Sequence, residues 1–153
     1  MFVPERIRAM LQTHHAAGLV SSAAFGADLL ALSEARKLGL RRRVVLPFDR
    51  KKFRSTSVTD RQGDWGPVYD MLLNEVEKSG YLLVIHANSK SNAYAEANHV
   101  ILDEALSLAQ QLQDRVTAVL VWDGKSRGEG DLTEEFGFYA RNKSIPVVDA
   151  MTL

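Results

Sequence analysis

The sequence contains no cysteine, which excludes a disulfide framework, thiolate nucleophiles and cysteine-based zinc sites. Proline is sparse, at four in 153 residues, and no Pro/Gly-rich linker, repeat or low-complexity tract divides the chain. One domain over 1–153 is therefore expected. No apolar run approaches the roughly 20 residues that a membrane span needs, and the N-terminus has no signal-peptide hydrophobic region. The expectation is a soluble, cytoplasmic domain with no membrane contact. No His/Asp/Glu cluster has metal-ligand spacing, so no metal is expected; no Gly-x-Ser-x-Gly nucleophile elbow occurs, and no cofactor is expected. Net charge is missing too, with 19 Lys+Arg against 19 Asp+Glu.

What is present is an ordinary globular composition, 46% hydrophobic and 25% charged, in a chain long enough to bury a core unaided. The neutral total conceals a segregation. Residues 36–61 hold ten Lys/Arg and two acids, a net of +8, while residues 62–153 carry a net of −7. Such asymmetry points to anionic partners.

Short apolar runs alternate with amphipathic stretches. Pro4 opens a helix over about 4–16 that Gly18 ends, and Leu19–Ala23 reads as a buried strand. A helix over 27–38 follows, closed by Gly39. Val44–Leu46 is the next strand, then 48–65 reads as a long polar loop. A helix over about 66–79, a strand at Tyr81–Ile85, the longest helix at 93–113 and a strand from Val116 to Trp122 come next. A helix at 132–142 leads into a last strand at Ile145–Val148. Strands apolar on both faces and alternating with helices imply a parallel sheet covered on both sides. The expected fold is α/β, a Rossmann-like three-layer α/β/α sandwich with a mostly parallel sheet of about five strands and five helices.

In such a sheet, ligands bind beyond the carboxyl ends of the strands, which selects the candidate residues. Ser22, Gly26 and Asp28 lie in the first strand-to-helix turn, where small residues and a helix N-terminus favour an anion or polar ligand. Arg50, Lys51, Lys52 and Arg54 with Ser55, Thr56 and Ser57 place cations and hydroxyls on the second loop, suited to phosphate oxygens. Asp49 and Arg54 could instead pair to shape that loop, and Phe53 or Trp65 could stack on a base. His86 and Asn88 end the central strand, with Asn92, Tyr94 and Asn98 beyond them; His14, His15 and His99 read as helix-surface residues. Gly124, Lys125, Gly128, Gly130 and Asp131 form a glycine-bearing turn before the last helix, where Asp131 and Glu134 also fit a capping box. Arg41–Arg43 precede their strand and read as a solvated turn on the opposite edge.

Ser21-Ser22-Ala23-Ala24-Phe25-Gly26-Ala27-Asp28-Leu29-Leu30-Ala31 resembles the strand, G-x-D turn and Ala-rich helix of the SLOG superfamily, which unites DprA/Smf and LOG proteins. Gly128-Glu129-Gly130-Asp131-Leu132-Thr133-Glu134 resembles the G-x-G-T-x-x-E turn of LOG proteins. Leu46-Pro47-Phe48, Phe53, Thr56-Ser57-Val58, Trp65 and Val121-Trp122-Asp123-Gly124 are similar to an uncharacterised branch found beside signalling modules. The similarity spans about residues 18–150. Asp131 replaces the family threonine, and Lys125-Ser126-Arg127 replaces its Pro-Gly-Gly lead-in. Family members usually begin with a strand and a glycine-containing loop, and this sequence opens at the helix that follows them, so that strand is expected to be missing.

The resemblance implies a domain that binds a nucleotide or nucleotide-derived ligand, sensor-like rather than catalytic. The enzymatic alternative is LOG-like N-glycoside hydrolysis of a nucleoside monophosphate, with Glu134 at the matching motif position or Asp28 as the acid/base carboxylate. A third possibility is single-stranded nucleic-acid binding by the +8 block with Phe53 and Trp65 as stacking platforms. A fourth is an oligomerising interaction module, a dimer whose open sheet edge is satisfied by a second copy.

Overall fold

The computed structural model describes residues 2–60, 62–87, 92–122 and 132–151, with the side chains of Trp122 and Met151 excepted. It is a mixed α/β chain. In order, the elements are α1 (Val3–Thr13), β1 (Gly18–Ser21), α2 (Ala27–Lys37), β2 (Arg41–Leu46), α3 (Arg50–Ser57), α4 (Trp65–Lys78), β3 (Leu82–Val84), α5 (Ala93–Leu112), β4 (Ala118–Trp122), α6 (Leu132–Asn142) and β5 (Val147–Met151). Every strand pairing is parallel.

The expected single sheet is not what forms. The strands divide into a three-stranded sheet in the order β1-β2-β3 and a two-stranded sheet of β4 and β5. The middle strand of the larger sheet, β2, is nevertheless buried on both faces over Val44–Leu46. Val44 and Leu46 pack with Leu29, Leu32 and Leu72, whereas the intervening Val45 packs with Ala97 and Ile101. Alternate residues of a strand point to opposite faces, so α2 and α4 cover one side and α5 the other. A strand with no solvent face has no reason to alternate polar and apolar residues.

Three expectations need correction. The first helix ends at Thr13 rather than 16: His15 adopts φ 51°, and Gly18 belongs to β1, paired with Arg41. Residues 48–65 are not a loop, because α3 occupies most of them. Asp49 caps that helix, its carboxylate accepting from the Lys52 N–H at 2.9 Å, which satisfies an orphan donor of the first turn. Phe53 and Ser57 form its buried side, a spacing of one helical turn that a dense run of cations obscures. Arg41–Arg43 are the first half of β2, not a solvated turn. Arg42 and Arg43 are largely buried and pair with Glu75 and Glu104.

The largest buried cluster centres on Phe53 and Tyr69, whose rings lie 6.2 Å apart. The Tyr69 hydroxyl donates to the Arg50 carbonyl at 2.9 Å, and burial pushes its pKa up to about 12. α1 is tied to α2 by an ion pair to the buried Glu34. Arg8 Nε donates to the Glu34 carboxylate at 2.7 Å, and Lys37 lies 3.5 Å from its second oxygen. Burial alone would raise the Glu34 pKa, but these two cations outweigh it and hold the carboxyl below its usual range. Replacing Arg8 by alanine strips Glu34 of its shorter partner while leaving it buried, and is expected to lower the chemical denaturation midpoint at pH 7. The cost shrinks as the pH falls through the lowered folded pKa of Glu34, below which the carboxyl that Arg8 pairs with is protonated. An unchanged denaturation midpoint at pH 7 would contradict the assignment of this pair as a structural tie.

Among the described residues, no helix is long and apolar enough to cross a membrane.

Candidate functional site

A cavity of about 530 Å³ opens between the two sheets, lined by β1, β4, α1 and α5 and by the first turn of α6. Its upper mouth lies beyond the carboxyl ends of β1 and β4. There Ser21, Ser22 and Asp28 meet Tyr94 and Asn98 from α5 and Thr133 from α6. The volume is within the range of small-molecule sites, which combine apolar walls with a few convergent polar groups.

The β1–α2 turn is built to place Asp28. Gly26 stands at the N-cap of α2 with φ 85° and ψ −124°, a conformation essentially restricted to glycine. This bend lets the Asp28 carboxylate fold back and accept from the Ala24 N–H at 3.2 Å. Phe25 N–H donates to the Ser57 carbonyl at 2.9 Å, joining the turn to the end of α3. Asp28 is half-buried. Desolvation of its carboxyl pushes the pKa up to about 6, against the lowering effect of the Ala24 hydrogen bond. A carboxyl poised near neutrality in a cavity can accept a hydrogen bond when ionised and donate one when protonated.

Ser57, on α3, shares a hydrogen bond of 2.5 Å with the Tyr94 hydroxyl. It therefore positions Tyr94 in the cavity wall and is not itself a lining residue. Ser55 donates to the Lys52 carbonyl, bonding within its own helix.

The cations of α3 turn elsewhere. Arg50 pairs with Glu77 and donates to Asn74 Oδ1 at 3.0 Å. Arg54 grips Asp70 with two bonds of 2.9 and 3.0 Å, and Asp49 is occupied as the helix cap, so the two do not pair. Lys52 sits over the Phe48 ring. None of these cations lines the cavity. Six cations of the +8 block are taken up in ion pairs by the fold. Arg36, Lys37, Arg42, Arg43, Arg50 and Arg54 each meet a carboxylate from Glu34, Asp70, Glu75, Glu77 or Glu104. Phe53 is fully buried among Phe48, Tyr69 and Tyr94, which leaves it no exposed face for a base, and Trp65 packs against the same cluster.

Glu134 lies in the first turn of α6 but does not line the cavity. His99 stacks on Tyr139 at 3.9 Å on the outer side of α5. Asn88, Gly124, Lys125, Gly128, Gly130 and Asp131 lie outside the described residues.

The structure brings Ser22 and Asp28 together with Tyr94 and Asn98, and separates them from Arg50, Arg54 and Ser55. Thr133 was not legible as a lining residue because nothing in its own segment shows that α6 starts opposite α2. The signal available for Tyr94 and Asn98 was their spacing of one helical turn. No protein-family model matches the chain, and no curated protein sequence shows significant similarity to it.

Proposed function

We propose that this chain binds a nucleotide or nucleotide-derived small molecule at the carboxyl-end mouth of the cavity, as a sensor-like module. The observation that carries the reading is the Asp28 carboxyl, held by the Gly26 turn on the cavity wall with its pKa raised to about 6. A carboxyl so placed accepts from ribose hydroxyls, while Ser22, Asn98 and the Tyr94 hydroxyl offer further donors and acceptors. The apolar wall below them suits the face of a base. The SLOG resemblance of Ser21–Ala31 supports the same ligand class. No cation of α3 lines the cavity, which moves the emphasis for that segment from phosphate to sugar and base.

The test is thermal denaturation of the full chain with a panel of nucleosides and nucleoside monophosphates. A cognate ligand at 100-fold its Kd is expected to stabilise the fold by about 2.7 kcal/mol. Asp28→Ala should abolish that shift, whereas Ser55→Ala should leave it intact. No shift with any member of the panel at millimolar concentration would sink the proposal.

One observation favours a second reading. A carboxyl with a pKa of about 6 suits general acid catalysis near neutral pH, and of the two candidate carboxylates Asp28 lines the cavity while Glu134 does not. N-glycoside hydrolysis would then depend on Asp28, and free base released from a nucleoside monophosphate would report it.

A further inference from the structure

β1 and β4 are each the end strand of a separate sheet, and the cavity runs along both of them. Consecutive residues line it, Gly18 to Ser22 on one side and Thr117 to Val121 on the other, with none from β2 or β5. A strand that meets a space with its face contributes alternate residues, and one that meets it with its edge contributes all of them. The backbone directions agree. The Ala17 carbonyl accepts from Arg41 N–H, and Ala118 N–H donates to the Pro146 carbonyl. Backbone groups alternate sides along a strand, so Gly18 and Val20, and likewise Val119 and Val121, turn their N–H and C=O groups away from their own sheets and toward the cavity.

The two edges run the same way. The first turn of α5 carries Tyr94, held to Ser57 beyond the carboxyl end of β2, and the helix returns over 20 residues before β4 starts. β4 therefore ascends from the same side as β1. Helices close the space above and below. Ile7, Met10 and Leu11 of α1 form one wall, and Ile101, Leu102 and Leu108 of α5 form the other. Each helix bridges the gap, α1 touching α2 and β5, and α5 touching β1, β2 and α6.

We propose that this cleft accepts an extended apolar peptide segment supplied in trans by a partner protein, lying parallel between β1 and β4 and joining the two sheets into one. Two facing rows of backbone donors and acceptors are the chemistry that recognises another peptide backbone. The apolar walls on both faces set the side chains: an inserted strand points alternately at α1 and α5, so every position is apolar, as in a fully covered parallel strand. β1 and β4 have four and five residues, which limits the segment to about five residues in strand conformation. Polar side chains gather toward the ends, with Asp28 and Asn98 among those above and His14, Asp114 and Arg115 among those below. The proposal uses the strand edges and not Asp28, so although both ligands would draw on the same cavity, Asp28→Ala should abolish the nucleotide shift and leave peptide binding intact.

The test is fluorescence anisotropy of a dye-labelled peptide, acetyl-Lys-Val-Ile-Val-Ala-Val-Lys, titrated with the full chain. A companion peptide carries N-methyl groups on alternate residues, which removes backbone donors and keeps the side chains. Saturable binding is expected, weakened at least about tenfold by N-methylation. Hydrogen exchange at the Val20, Val119 and Val121 amides should slow when the unmethylated peptide is added. Val20→Pro deletes an N–H that faces the cleft and none that bonds to β2, and should weaken binding similarly; the methylated peptide keeps the test valid if that variant fails to fold. No saturable binding, or equal binding of both peptides, overturns the proposal. A dimer in solution with those amides already protected overturns it also, since a second copy then fills the cleft.

Discussion

Replacing Asp28 by asparagine is expected to stabilise the protein at pH 7 and to leave its stability unchanged near pH 3. The folded carboxyl has its pKa raised from 3.8 to about 6 by desolvation. Below about pH 3 both the folded and the unfolded states carry the proton, and the group makes no difference. Between about pH 4 and 6 the unfolded chain releases the proton while the folded chain retains it, so stability falls as the pH rises. Above that window the wild type bears a constant penalty. About two pK units at 1.36 kcal/mol each set that penalty at about 3 kcal/mol, and asparagine, which does not ionise, removes it. For a chain of this size the melting temperature at pH 7 should rise by about 6–12 °C. Measuring stability of both proteins from pH 3 to pH 8 checks this, and a difference that stays constant across the range would contradict it. The same substitution is expected to cost ligand binding at the cavity mouth. A residue that destabilises the fold and improves a site is the usual trade at functional positions.

Phe53→Ala should be the most damaging single change in α3, at about 3–5 kcal/mol of unfolding free energy. Its ring is fully buried and touches Phe48, Tyr69 and Tyr94, so truncation opens a space bordered by three other rings. Those rings are not free to close it. Tyr69 is held by its bond to the Arg50 carbonyl and Tyr94 by its bond to Ser57. Total stabilities of 5–15 kcal/mol are usual, so such a loss would bring the variant near its folding threshold. Phe53→Leu keeps much of the volume and should cost less than half as much. Urea denaturation of the two variants tests this. Equal midpoints for wild type and Phe53→Ala would show that Phe53 is not a core residue.

Both effects bear on the same place. Asp28 lies on the mouth of the cavity, Phe53 supports its wall, and the Ser57–Tyr94 bond connects α3 to α5 across the top of the sheet. The contribution of α3 to the site is therefore mechanical. A segment that reads as seven polar and basic residues around one phenylalanine acts through Phe53, through Ser57 and through the Ser57 carbonyl that fixes Phe25.

Much was legible in the residues themselves. Runs such as Val44-Val45-Leu46, apolar at every position, specify a strand covered on both faces, because neither face can be left to water. Leu29, Leu30, Leu32 and Ala35 read as the apolar stripe of α2, of which all but Leu30 are buried, and Gly26 with Asp28 marks the turn at the candidate site, because a backbone bend of that kind requires glycine and a short acceptor. Charge was the misleading signal. The block at 36–61 is basic in sequence, but ion pairing acts through space, and Asp70, Glu77, Glu75 and Glu104 meet its arginines from 16 to 61 residues away.

The alternation of strands and helices, the buried faces and the Asp28 turn were thus determined locally, by periodicity and by backbone sterics. Which strands pair was not. Hydrogen bonds between strands carry no side-chain signature, and the edges of β1 and β4 have the same residues whether they meet each other or enclose a cleft. Only the packing of α1 and α5 across both sheets decided that a cavity lies between them, because strand edges meet only as closely as the helices on the two faces allow.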